Sequence, residues 1–200
     1  MKITAILLAA GHSTRFEDGH KLLAEIDAVP LVRRAAVALA QSSVEDIVLI
    51  TGTNSKDVAT AAGPGRWRHI KNPNATEGLS SSLRLGIQSA KGAEGILVAL
   101  ADMPGITAEL IDTLCATFAA SDGQDIIFPI APGGRRGHPV IWPRSLFGAL
   151  ESVSGDTGGK ALLAGHRHLW RPVACDDPGA FADIDTRADL DAFTTAQKFN

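Results

Sequence analysis

Two cations and a glycine follow the first greasy run of this chain. The stretch LAAGHSTRFEDGHKLL, residues 8–23, sets Gly11, Arg15 and Lys21 directly after ITAILLA. Glycine lets a backbone approach a ligand closely, and the N–H groups of a tight loop can cradle phosphate oxygens. Arg15 brings a forked donor and Lys21 a point charge. The same loop also fits a plain turn with two solvated cations. Its spacing matches neither GxGxxG nor GxxxxGK[ST], which argues against a dinucleotide fingerprint and a P-loop. Carboxylates able to hold a hard cation stand further along: Asp102 in LADMP, and Asp183 and Asp185 in ADIDT. In an extended segment Asp183 and Asp185 share one side. Each of the three also fits a turn or a helix cap.

The elements that must position these groups alternate. Apolar runs at 3–9, 46–52, 95–102, 125–131, 139–143 and 168–174 read as strands, with a shorter strand at 68–71. Helical patterns fall at 30–42, 55–63, 78–90, 107–120 and 186–197, with short ones at 144–150 and 157–165. Thr107 and Thr186 are the expected N-caps. This βαβ alternation predicts an α/β fold of three layers, a mainly parallel sheet with helices on both faces. Ligands then bind beyond the carboxyl ends of the strands, which is where the first loop and Asp102 fall.

Length bounds the organisation. Two hundred residues suit one domain, 1–200. Its first part, about 1–124, is regular, and about 125–200 is richer in Gly and Pro and reads as an elaboration on the substrate side. A net charge of -3 gives no bulk attraction to nucleic acid or to anionic membranes, so phosphate binding must be local. Cys115 and Cys175 make no disulfide framework and no metal spacing. The N-terminal run reads as a buried strand, not a signal peptide, and no run has the length of a membrane span, so the cytoplasm is the expected location.

Taken in order, the motifs carry a resemblance. LAAGxSxRFxxxxKLL at 8–23, NPxxxxGLSSSL at 72–83, ADMPxI at 101–106, GHPVxW at 137–142, SGDTGGKALL at 154–163 and the closing ADIDTRADL at 182–190 resemble the molybdenum cofactor cytidylyltransferases. These belong to the molybdopterin nucleotidyltransferases, within the GT-A-like nucleotidyltransferase superfamily. His138 stands where that branch more often carries Asn, and Phe16 where Met is common.

The resemblance implies transfer of CMP from CTP to molybdopterin, with release of pyrophosphate. It makes about 1–124 the nucleotide half and the rest the acceptor half and closing motif. Arg15, Lys21 and Asp102 become catalytic. Leu8, Ala9, Ala10, Gly11, Thr51, Asn72, Gly78 and Ser82 join Arg15 and Lys21 around the nucleotide. His138 and Asp156 face the acceptor. Asp102 and Asp185, with Asp183 as the weaker candidate, hold Mg²⁺, for which Mn²⁺ can substitute. A molybdenum hydroxylase apoenzyme or its chaperone is the implied protein partner. GTP users of this group tend to carry LAGG where this chain reads Leu8-Ala9-Ala10-Gly11, which favours CTP over GTP.

Two other classes stand against this. A Rossmann oxidoreductase needs an acidic residue at the end of the second long strand, and here that strand runs into LITGTN. A non-catalytic chaperone for the mature cofactor would not need the full set of Arg15, Lys21, Asp102 and Asp185.

Overall fold

β1 (Ile3–Ala9) is buried at all seven positions because helices cover both of its faces. The computed structural model describes residues 1–11, 16, 19–155 and 159–197. A two-residue hairpin, β2 (Glu25–Ile26) and β3 (Val29–Pro30), turns through Asp27 and Ala28 with φ of 52° and 60°. That double positive φ matches the twist of a tight hairpin. Pro30 leads into α1 (Leu31–Gln41), followed by β4 (Asp46–Thr51), α2 (Ser55–Ala62) and β5 (Arg68–Lys71). Next come α3 (Leu79–Ser89), β6 (Gly95–Leu100) and α4 (Ala108–Ala119), whose N-cap Thr107 accepts the Leu110 N–H. The last third carries β7 (Ile126–Ile130), β8 (Val140–Pro143), α5 (Phe147–Glu151), α6 (Lys160–Gly165), β9 (Trp170–Ala174) and α7 (Arg187–Gln197).

Seven strands form one sheet in the order β5-β4-β1-β6-β8-β7-β9. Every pairing is parallel except those of β8, which runs antiparallel to both β6 and β7. The mainly parallel three-layer sheet expected from the alternation is what the chain adopts. β7 is laid down one position away from β6, and β8 returns to fill the gap. From β1 the chain steps outward through β4 and β5, then crosses back to β6 on the other side. That reversal opens a crevice at the carboxyl ends of β1 and β6, where Leu8 lies in register with Leu100.

The period of two along β1 divides the core. Ile3, Ala5, Leu7 and Ala9 face α1, α2 and α4, while Ile6 and Leu8 face α3, α5 and α6. A third cluster joins Phe16, Ile26 and Leu31 to Ile184 and Leu190, so it ties the hairpin region to α7. Among the described residues, no helix is long and apolar enough to cross a membrane.

Candidate functional site

The turn after β6 carries Asp102, two residues beyond the end of the strand. Ala101 N–H donates to Leu8 O at 3.1 Å, which fixes this turn to the end of β1. The chain returns to it at the C-terminal end. Ile184 N–H donates to Asp102 O at 2.9 Å, and Gly179 rests on Gly105 so closely that a Cβ on Gly179 would stand 2.2 Å from Gly105 O. Asp185 follows directly. It is held by a capping box in which Asp189 Oδ2 accepts from Asp185 N, Thr186 N and Thr186 Oγ1 at 3.1, 2.7 and 2.7 Å.

Lys21 reaches this point from a short 3-10 turn, Lys21–Leu23, anchored by buried Leu22. Its Nζ donates to Asp102 Oδ2 at 2.6 Å and to Asp185 Oδ1 at 2.8 Å. Residues 81 and 164 positions away from Lys21 thus converge on one nitrogen. Its side chain is 11% exposed. Burial pushes its pKa down, but charge and hydrogen bonding from Asp102, and then from Asp185, outweigh that, so the net shift is upward. The second carboxylate oxygen, Asp102 Oδ1, is buried without a hydrogen-bond partner among the described residues. Two carboxylates already directed at one cation, one of them with a spare oxygen, form a set that could hold a hard divalent ion. Such an ion commonly takes one or two protein carboxylates and draws its remaining ligands from phosphate and water. Asp183 is exposed and lines a groove beside α7 with Gly105, Asp177 and Asp189. The carboxylates gathered on Lys21 are therefore Asp102 and Asp185.

On the α1 side, Ala9, Ala10 and Gly11 face Gly52, Thr53 and Asn54 across a cavity of about 110 Å³. Gly52 has no room for a side chain: a Cβ would lie 2.7 Å from Ala10 O and 3.0 Å from Ala75 Cβ. Leu8 belongs to the opposite face. Thr51 turns inward, its hydroxyl 2.7 Å from both Ser55 Oγ and His69 Nε2. Asn72 and Ser82 are also buried, Asn72 Nδ2 donating to Ser81 Oγ and Ser82 Oγ at 2.9 Å each. The Asn72, Ser81 and Ser82 side chains hold the 72–78 loop against the start of α3. Gly78 ends that loop at φ 99° and starts α3, a conformation that side chains resist. Arg15 and Asp156 lie outside the described residues.

His138 lines a separate cavity with Lys160, Val140 and Trp142. Its backbone N–H donates to Ala180 O at 3.0 Å, and its Nδ1 is buried with no partner among the described residues. Burial pushes the imidazole below its usual pKa, and the charge of Lys160 adds to this. The Val98 backbone, Asp102 and Asp183 pull the other way.

Residues 5–170 match the family described as the MobA-like NTP transferase domain. The chain belongs to this family. Among the relatives of this MobA-like protein is the nicotine blue oxidoreductase of Paenarthrobacter nicotinovorans, 29% identical over 92% of each chain. The molybdenum cofactor guanylyltransferase of Burkholderia vietnamiensis is 27% identical, over 84% of this chain and 79% of that one. Rv0371c of Mycobacterium tuberculosis, solved in complex with manganese, shares the fold with a TM-score of 0.79. It is 23% identical, covering 98% of this chain and 100% of that one. The architecture is that of a nucleotidyltransferase. Within the MobA-like frame, three site residues escape the sequence patterns. Gly52 becomes visible only as a contact with Ala10, and Lys160 only as the wall of a cavity beside His138. Asp189 was legible in principle, as the fourth residue of Thr186-x-x-Asp189.

Proposed function

We propose that this protein transfers CMP from CTP to molybdopterin in a Mg²⁺-dependent reaction. A terminal phosphate oxygen of the acceptor attacks the α-phosphorus. The bond from that phosphorus to the bridging oxygen of the β-phosphate breaks, and pyrophosphate leaves. In-line displacement of this kind needs positioning and charge neutralisation more than covalent chemistry from the protein. The observation that carries the reading is the convergence of Asp102 and Asp185 on the Lys21 ammonium. Asp102 and Asp185 hold the metal, which supplies charge neutralisation at the phosphates. Lys21 moves onto the triphosphate and Arg15 joins it. A structural neighbour solved in complex with manganese supports trying Mn²⁺ as a substitute. Residues 1–200 act as one domain in the cytoplasm, and the product serves a molybdenum hydroxylase.

The experiment is incubation with labelled CTP or GTP, Mg²⁺ and molybdopterin. Pyrophosphate release and a nucleotidylated acceptor are expected with CTP, and Asp102→Ala abolishes turnover in a folded protein. No release with any nucleotide and pterin acceptor refutes the reading, and near-normal turnover in Asp102→Ala removes that residue from the metal site.

The base preference rests on Ala10. Gly52 lies against its carbonyl, so the Ala10 backbone has no space to back away from a larger ring. Steric rejection by a fixed methyl discriminates more strongly than a missing methylene, worth only about 1–3 kcal/mol. In a competition at equal concentrations, wild type takes CTP and Ala10→Gly gains GTP. Preference for GTP in wild type overturns the cytidylyl assignment, and an unchanged preference in Ala10→Gly overturns the steric cause.

A further inference from the structure

One wall of the cavity at Ala10 is held from outside the cavity. Gly52, Thr53 and Asn54 form that wall. Thr51 closes β4 and Ser55 opens α2, so these two residues bracket it. Asn54 stands at the N-cap position of α2 but makes no side-chain bond to the helix. The common fastening of a helix start is therefore not used here.

Three side chains take its place. Thr51 Oγ1 stands 2.7 Å from Ser55 Oγ and 2.7 Å from His69 Nε2, and Ser55 Oγ stands 3.2 Å from the same nitrogen. Both hydroxyls are buried, where they need partners within the protein. His69 comes from β5, an edge strand of the sheet, where it lies in register with Leu49. Its neighbour Ile70 packs on the α3 side with Ile50, so the period of two sends His69 to the α2 side. The ring suits the position in either neutral form. One tautomer accepts the Thr51 hydroxyl proton at Nε2, and the other donates to the hydroxyl oxygen.

The imidazole thus ties both ends of a three-residue segment to the sheet edge. The segment has little room of its own, since a Cβ on Gly52 would lie 2.7 Å from Ala10 O. Its far end is continued into α2 by Val58, whose N–H donates to Asn54 O at 3.0 Å and whose side chain also lines the cavity. His69 itself is exposed and is not among the lining residues.

We propose that His69 is a positioning residue for the nucleotide: it fixes residues 52–54 through Thr51 and Ser55, and so sets the distance between that wall and Ala10. This rests on the nucleotide reading of the Ala10 cavity and adds to it a residue that touches neither the ligand nor the reacting atoms.

The test combines steady-state kinetics with hydrogen exchange on the full chain. In His69→Ala, KM for CTP is expected to rise about fivefold or more, the worth of one neutral hydrogen bond, while kcat stays within about twofold of wild type. A protein that is merely destabilised loses kcat instead, as its folded fraction falls. His69→Gln, whose amide reaches the place of Nε2, is expected to restore most of the KM, and the shorter His69→Asn is not. Arg68→Ala, which removes a pair with Asp46 on the same edge strand, is expected to leave KM unchanged. Without nucleotide, the Val58 amide of His69→Ala is expected to exchange about fivefold faster or more, with the β1 amides as in wild type. Unchanged KM or unchanged Val58 exchange in His69→Ala overturns the proposal, and so does equal rescue by Asn and Gln. Faster Val58 exchange in His69→Ala, beside a wild type that binds no nucleotide, sinks the nucleotidyltransferase reading and leaves the fastening by His69 supported.

Discussion

Replacing Lys21 with Met keeps the length of the side chain and removes its charge. The cluster of Lys21, Asp102 and Asp185 carries one net negative charge, and in Lys21→Met it carries two. Two charge-assisted hydrogen bonds are lost, each worth about 1.5–3 kcal/mol where water is excluded. The side chains of Asp102 and Asp185 are 21% and 27% exposed, so water recovers part of that. The expected net loss is about 2–4 kcal/mol, below the 3–5 typical of a fully buried pair. At roughly 2–4 °C per kcal/mol for a chain of this size, Tm falls by about 5–15 °C. Asp102→Asn behaves differently, because it leaves Lys21 paired with Asp185 and the cluster neutral. It should shift Tm by no more than about 3 °C while removing activity.

The folded pKa of Lys21 is raised, so its stabilisation is complete below the ordinary value of 10.5. It is lost as pH climbs through the raised value. The gap between wild type and Lys21→Met therefore holds from neutral pH to about 10.5 and closes above it. Thermal unfolding followed by circular dichroism reads all of this. Equal Tm for wild type and Lys21→Met, or a larger loss in Asp102→Asn than in Lys21→Met, refutes the charge accounting.

Two further perturbations test how the site is supported. The Arg66 guanidinium donates to the carbonyls of Leu39, Ala40, Ser42 and Val44 at 2.7–3.2 Å, closing the end of α1. Arg66→Ala should cost about 1–3 kcal/mol in urea unfolding with little change in KM, and Arg66→Lys should restore only part, since lysine lacks the fork. Gly52→Ala drives a methyl against Ala10 O, so KM for CTP should rise at least tenfold alongside a stability loss of about 1–3 kcal/mol, and an unchanged KM separates this contact from nucleotide binding.

Local patterns placed most elements correctly. The run ITAILLA is β1 residue for residue, and Thr107 caps α4 as its position before an apolar period suggests. These signals are carried by neighbours in sequence. The direction of β8 and its insertion between β6 and β7 were not legible, because a four-residue run buried on both sides reads the same in either direction. The β2–β3 hairpin carries no sequence signal, since Asp27 and Ala28 are not the Asn-Gly or Asp-Gly pair that marks such turns. In the site, Lys21, Asp102 and Asp185 were named from motifs, but their meeting depends on contacts across 81 and 164 residues. The resemblance places Thr51, Asn72 and Ser82 around the nucleotide; in the structure their buried side chains hydrogen-bond to neighbouring protein groups, Thr51 to Ser55 and His69 and Asn72 to Ser81 and Ser82.

The bond from Ile184 to Asp102 has a consequence for the chain as it is made. Strands β5, β4, β1 and β6 are complete by residue 100, so a large part of the sheet can assemble on a ribosome that has yet to produce the last third. Asp102 would then emerge without its partner, since Asp185 comes 83 residues later. A nascent chain is thus largely folded before the carboxylates of Asp102 and Asp185 meet on Lys21, which happens only when the closing segment docks on the turn after β6. The cluster is thus closed only by the segment that leads into α7.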